Sequence, residues 1–142
     1  PAHVEIMVTK DGPKMVELGS RMGGGCITTH LVPLSTGIDM IKSVMDLALG
    51  LEPDLEPKLD KGSALRHIVG IEGVIESIEG LDEARQVPGV FEVTMLKNVG
   101  EECHYFKNGA DRIGYVIAQG KDTAEAIAIC EEAIKKINIK TK

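Results

Sequence analysis

His3-Val4-Glu5-Ile6-Met7-Val8-Thr9-Lys10-Asp11-Gly12-Pro13-Lys14-Met15-Val16-Glu17-Leu18-Gly19-Ser20-Arg21-Met22-Gly23-Gly24-Gly25 consists of two short apolar-rich runs around a turn, followed by a glycine run. Val4 to Thr9 and Lys14 to Leu18 have strand composition, and Lys-Asp-Gly-Pro between them is a turn signal in which Gly12 is free to take positive φ. The spacing therefore predicts a β-hairpin. Glu5 and Glu17 stand twelve residues apart, and a hairpin folded about Asp11 sets them opposite each other. Directly opposed like charges destabilise a strand pair, so such a pair calls for a cation between the two or for one of them to tilt to solvent. Two carboxylates converging from neighbouring strands make a hard oxygen site suited to Mg²⁺ or Mn²⁺. Arg21 follows Glu17 by four residues, and Gly23, Gly24 and Gly25 offer exposed backbone N–H groups. A guanidinium beside a metal and free N–H donors can hold phosphate or an anionic intermediate. The same spacing also describes a hairpin with two solvent-facing glutamates and a plain glycine loop, and spacing alone leaves both readings open.

The stretch resembles the metal-binding end of the ATP-grasp superfamily, which has a Glu on one strand and Glu-x-Asn-x-Arg on the next, often followed by glycines. Leu31-Val32-Pro33-Leu34-Ser35-Thr36-Gly37-Ile38-Asp39 is similar to that family's Thr-Gly-hydrophobic-Asp helix start. The branch most resembled is the L-amino acid ligase and biotin carboxylase-like group, with phosphoribosylglycinamide synthetase as a cousin. A second stretch, Arg112-Ile-Gly-Tyr-Val-Ile-Ala-Gln-Gly-Lys-Asp-Thr-Ala-Glu-Ala126, is similar to the tail of carboxylate–amine ligases. The resemblance implies ATP and Mg²⁺ (or Mn²⁺) as cofactors and a small carboxylate and an amine, or a thiol, as substrates joined through an acylphosphate. It gives Glu5 and Glu17 to the metal, Arg21 to the transferring phosphoryl, and Gly23, Gly24 and Gly25 to phosphate or a developing oxyanion. The family's Asn falls on Gly19, which leaves a second metal to water and backbone.

The rest of the chain sets bounds on this reading. Hydrophobic content of 43% with aromatics at 3% and no Trp calls for a core of Ile, Val, Leu, Met and Ala. A net charge of −6 argues against a nucleic-acid face. No apolar run approaches a membrane span, and no signal peptide is visible. Cys26, Cys103 and Cys130, without a CxxC, fit a reduced, cytoplasmic chain. The chain opens at Pro1 inside strand-like sequence and lacks the nucleotide-binding half of an ATP-grasp enzyme. It is therefore expected to be a C-terminal fragment that is inactive alone.

Residues 26–34 predict a short helix ended by Pro33, with His30 either facing substrate or half-buried, and Cys26 a weak candidate nucleophile. Thr36 to Asp39 has the spacing of a capping box, and Ile38, Ile41, Val44, Met45, Ala48 and Leu49 recur at helical spacing up to Gly50. Met40 and Met45 are expected as core filler. Residues 51–62, with Pro53, Pro57 and Gly62, predict a linker between residues 1–50, the end of an ATP-grasp domain, and residues 63–142, an α+β subdomain.

In that subdomain, strands are predicted over Ala64–Val69, Gly73–Ile78, Val90–Val99, Arg112–Ala118 and Ile137–Lys140. Helices are predicted over Leu81–Gln86 and Thr123–Ile137, the latter capped by Asp122, with a polar loop over Gly100–Ala110. The order from Gly73 points to a ferredoxin-like βαββαβ layer. The fold class is thus α+β: a β-hairpin plus helices, followed by an antiparallel sheet with helices on one face. Arg66 and Arg112 are expected chiefly in surface ion pairs. Two other functional classes remain open at this level: a non-catalytic small-molecule-binding module, and a dimerisation module using the 64–142 sheet to form a homodimer.

Overall fold

The computed structural model describes residues 1–142. Strands β1 (His3–Thr9) and β2 (Gly12–Gly19) form the antiparallel hairpin, with Gly12 at φ 95° beyond a two-residue turn. Thr9 stitches the turn, its hydroxyl donating to the Gly12 carbonyl at 2.8 Å and accepting from the Asp11 N–H at 3.2 Å. The ladder runs Thr9↔Gly12, Val8↔Pro13, Met7↔Lys14 and Ile6↔Met15, then shifts at a bulge, so that Glu5 pairs with Glu17. Val16 is the extra residue of that bulge. Both faces of the hairpin are open: Ile6, Met7, Val8, Met15, Val16 and Leu18 are all more than half exposed.

A π-helical turn (Ile27–Leu31) leads directly into α1 (Val32–Thr36). Pro33 does not end a helix, as the sequence had suggested. It lies in the first turn of α1, where its missing N–H breaks no intrahelical bond. Gly37 at φ 75° ends α1. The cap of α2 (Met40–Ala48) is Asp39 and not Thr36, because the Asp39 carboxylate accepts from the Lys42 N–H at 2.9 Å. Met45 is 55% exposed and Leu47 and Leu49 are more so or nearly so; Met45 is not core filler within these 142 residues.

Residues 51–61 have no regular element, but Lys58 and Leu59 donate backbone N–H groups to Thr36 O, and Lys61 to Ser35 O. Two three-stranded antiparallel sheets follow. One has the order β3 (Gly62–Ile68), β7 (Gly114–Gly120), β5 (Val90–Met95); the other has β6 (Glu102–Cys103), β4 (Gly73–Glu79), β8 (Asn138–Thr141). The expected single βαββαβ layer is not formed. β3 takes the place beside β7, and β4 pairs with β8 and with the two-residue β6 that arises inside the predicted polar loop.

Helices α3 (Leu81–Arg85) and α4 (Thr123–Lys136) lie on one face of the first sheet. α4 is seated through small residues, Ala126, Cys130 and Ala133, against Ala64, Val93, Val116 and Ala118. A second cluster, Ile68, Ile75, Cys103 and Ile113, joins the two sheets. No helix is long and apolar enough to cross a membrane.

Candidate functional site

The hairpin places Glu5 and Glu17 as a cross-strand pair, both side chains more than half exposed. Each carboxylate has a cationic or cationisable neighbour: His3 Nε2 lies 3.5 Å from Glu5, and Arg21 Nη2 lies 3.6 Å from Glu17. Arg21 also donates from Nη1 to the Met22 carbonyl at 3.0 Å. Its aliphatic stem folds over Gly19, where an added Cβ would lie 3.3 Å from Arg21 Cγ. The absence of a side chain at 19 thus leaves space that Arg21 uses. No group of three or more His, Cys, Asp or Glu side chains gathers anywhere in the chain. The donor set is two carboxylates with no third protein ligand, which matches the way Mg²⁺ is commonly held: by one or two carboxylates, with phosphate and water completing the octahedron.

The glycine run returns beneath the start of β1. A Cβ on Gly23 would sit 3.0 Å from His3 Nδ1 and 3.3 Å from Ile27 Cγ2, so close packing demands glycine there. Gly25 (φ 59°) and Cys26 (φ 63°) both take left-handed backbone, Cys26 being the one non-glycine residue to do so. Gly24 has open space around it. The backbone N–H groups of Gly23, Gly24 and Gly25 donate to no backbone acceptor. The turn is anchored by Thr28, 5% exposed, whose hydroxyl donates to Gly23 O at 2.9 Å. Cys103 and Cys130 are buried, and burial pushes the Cys130 thiol up to about 11, which suits packing rather than nucleophilic chemistry.

His30 is half-buried, and no local spacing marks its partner. Glu92, on β5, approaches His30 Nε2 to 3.2 Å. Thr29 Oγ1 lies 2.7 Å from the other ring nitrogen, and the ring meets Phe91 edge-on at 5.8 Å. Glu92 also accepts from Thr94 Oγ1 at 2.5 Å and from the Tyr115 hydroxyl at 2.9 Å. Ser63 Oγ and Gln119 Nε2 donate to the carbonyls of Leu31 and Leu34. Together these bonds fix the segment after the glycine turn onto the face of the β3–β7–β5 sheet opposite α4.

The Thr94 hydroxyl above all, then the Tyr115 hydroxyl and His30, hold the Glu92 carboxyl below the usual carboxylate range against the opposing effect of burial. Burial and the neighbouring Glu92 push the Tyr115 phenol up. A carboxylate whose folded-state pKa is depressed stabilises the fold above its unfolded pKa and loses that contribution as pH falls through the folded value. Glu92→Gln is therefore expected to lower stability by about 1–2 kcal/mol at neutral pH, with the gap to wild type closing toward about pH 3. Urea midpoints at the two pH values check this; a gap that persists undiminished in acid contradicts it.

Neither Arg66 nor Arg112 forms the ion pair expected of it. Arg66 is exposed on β3, opposite Val116. Arg112 is half-buried, its Nε shielded from solvent without a hydrogen-bond partner, and the same holds for Nδ1 of His67.

Against known proteins, the family model described as L-amino acid ligase C-terminal domain 2 matches residues 67–142. The fold is similar to phosphoribosylglycinamide synthetase from Anaerococcus prevotii (TM-score 0.85, 23% identity, 99% of this chain and 37% of that one). It is also similar to L-amino acid ligase from Bacillus licheniformis (TM-score 0.80, 26% identity, 99% of this chain and 36% of that one). An uncharacterized protein of Sinorhizobium fredii is 28% identical over 139 residues, covering 97% of this chain. The chain spans 29% of that curated relative's length.

Proposed function

The chain belongs to the L-amino acid ligase C-terminal domain 2 family and has the fold of the C-terminal part of ATP-grasp ligases, and we propose that it is that part of an ATP-dependent carboxylate–amine (or carboxylate–thiol) ligase. The observation that carries the reading is the pairing of Glu5 with Glu17 across the bulge, with Arg21 alongside. In this reading residues 1–50 complete an ATP-grasp domain, 51–61 link, and 62–142 form the C-terminal subdomain, Gly62, expected in the linker, being the first residue of β3. The open apolar faces of β1–β2 and α2 support it over a free-standing binding module, since they offer surface for an adjoining sheet to cover. The unpaired cysteines fit a cytoplasmic setting.

Glu5 and Glu17 hold Mg²⁺, which when bound neutralises charge on the nucleotide phosphates. Arg21 steadies the terminal phosphoryl as it passes from ATP to the substrate carboxylate, giving an acylphosphate and ADP. The amine then attacks the acyl carbon and phosphate leaves. The free N–H groups of Gly23, Gly24 and Gly25 face the oxyanion that develops at that carbon. Chemistry of this kind rests on positioning and charge stabilisation.

The experiment is a comparison of ATP turnover by the 142-residue chain and by the intact ligase, each with a carboxylate and an amine present. The chain alone is expected to release no ADP above background, and the intact ligase to release ADP only when a carboxylate is supplied. Turnover by the isolated chain that disappears in Glu17→Gln contradicts the assignment of nucleotide binding to the remainder of the enzyme.

A further inference from the structure

We propose that His30 and Glu92 are positioning residues for the acyl-transfer step: their contact holds the glycine turn, and with it the N–H groups of Gly23, Gly24 and Gly25, in the conformation that meets the developing oxyanion. This rests on the ligase reading above. The glycine turn takes its shape from the π-helical turn that follows it. Thr28 Oγ1 donates to Gly23 O at 2.9 Å, the Ile27 N–H to Gly24 O at 3.1 Å, and the His30 and Leu31 N–H groups to Cys26 O at 2.9 and 3.0 Å. The carbonyls of the turn are thus engaged, while the N–H groups of the three glycines donate to no backbone acceptor. Cys26 is held in left-handed backbone at φ 63°. A non-glycine residue keeps that conformation only where its surroundings over-determine it. Loosening the π-helical turn lets Cys26 relax toward negative φ, which swings the glycine peptides before it.

His30 is the one polar side chain of the π-helical turn that pairs with the sheet; Thr28 and Thr29 bond within residues 23–30. Glu92 divides its two oxygens. Oε1 accepts from Thr94 and Tyr115, both on the sheet, at 2.5 and 2.9 Å, and Oε2 is left to face His30 Nε2 at 3.2 Å. The carboxylate is therefore aimed by its own sheet at the place His30 takes. The other ring nitrogen lies 2.7 Å from Thr29 Oγ1, and the ring stands edge-on to Phe91. With both nitrogens engaged by the protein, His30 has none to offer a substrate, which makes it a positioning residue and not a base. The hairpin that carries Glu5 and Glu17 has its own ladder and no part in this contact, so breaking the contact leaves the metal residues paired.

The test follows amide and ADP together in the intact ligase, with a carboxylate and an amine present. When acyl transfer slows and acylphosphate formation does not, the acylphosphate is lost to water, returning carboxylate and phosphate, and ADP appears without amide. His30→Ala and Glu92→Ala are each expected to lower the amide formed per ADP by about tenfold, with the KM for ATP within about twofold of wild type. His30→Gln, which keeps an N–H for Glu92, is expected to retain most of the coupling. Ser63→Ala is the control. It removes a different tie between this segment and the sheet, the bond to Leu31 O, and leaves the ratio at its wild-type value. The ratio is blind to the folded fraction, so a fall of amide and ADP in equal proportion marks a merely structural role and overturns the inference. An unchanged ratio in both His30→Ala and Glu92→Ala overturns it too, as does an equal fall in Ser63→Ala or a His30→Gln no better coupled than His30→Ala. Should one of the alanine variants at 30 and 92 fail to fold, the other decides. Wild type that forms no amide contradicts the ligase reading instead, so the two failures are distinguishable.

Discussion

Arg21→Ala in the intact ligase is expected to lower kcat by on the order of 100- to 1,000-fold while the KM for ATP moves by no more than about twofold. A charge that meets the transferring phosphoryl acts chiefly in the transition state, so its loss falls on the chemical step and not on nucleotide binding. The local geometry makes the experiment clean. The Arg21 side chain is 56% exposed, its contact with Glu17 is a loose 3.6 Å, and its one hydrogen bond is to the neighbouring Met22 carbonyl. An exposed pair of that kind contributes little to stability, so the urea midpoint is expected to stay where it is. A variant with normal kcat and a large rise in KM for ATP would instead make Arg21 a ground-state phosphate ligand.

Gly62→Ala is expected to destabilise the fold by about 4 kcal/mol or more, a large share of the roughly 5–15 kcal/mol that holds a domain together. Gly62 opens β3 under the start of α4. A Cβ there would stand 1.9 Å from the Asp122 carbonyl carbon and 2.3 Å from the Thr123 nitrogen. Both are backbone atoms, so no side-chain rotation relieves the clash. Asp122 is also the cap of α4, accepting the Glu125 N–H at 2.8 Å, and pushing it aside uncaps the helix that covers the larger core cluster. Gly24→Ala is the control, since nothing lies within 4 Å of its Cβ position, and it should cost no more than about 0.5 kcal/mol. Equal urea midpoints for Gly62→Ala and wild type would mean that β3 and α4 are not packed as described.

The hairpin and its glutamate pair were legible because strand alternation and a strong turn signal leave few registers. The route differed from a simple hairpin about Asp11. The turn is tighter, at Lys10 and Asp11, and the bulge that passes over Val16 restores the Glu5–Glu17 pairing. The helices of the C-terminal half were legible from periodicity and from the Asp122 cap, whose side chain bonds as its position implied.

Sheet membership was not legible. Alternation shows that Ala64 and Ile68 face a core, but it carries no information on whether β7 pairs with β3 or with β4. Nor could a two-residue strand such as β6 stand out within a polar loop. The clearest omission was Glu92. As one polar residue in an alternating strand, Glu92 carries no local mark of a partner, and only the long-range fold brings it to His30, Thr94 and Tyr115. The same limit applied to Met45: helical spacing marks an apolar face, yet whatever that face packs against is not supplied by these residues.

The central claim is that Glu5 and Glu17 are a metal site and not two surface glutamates. The most direct measurement is a Mg²⁺ titration of the reaction rate in the intact ligase, wild type against Glu5→Gln. With two protein carboxylates and no third ligand, Mg²⁺ binding leans on each carboxylate and on the nucleotide phosphates. The account predicts that the Mg²⁺ concentration for half-maximal rate rises by about tenfold or more in Glu5→Gln. A titration curve for Glu5→Gln that overlays wild type would contradict it.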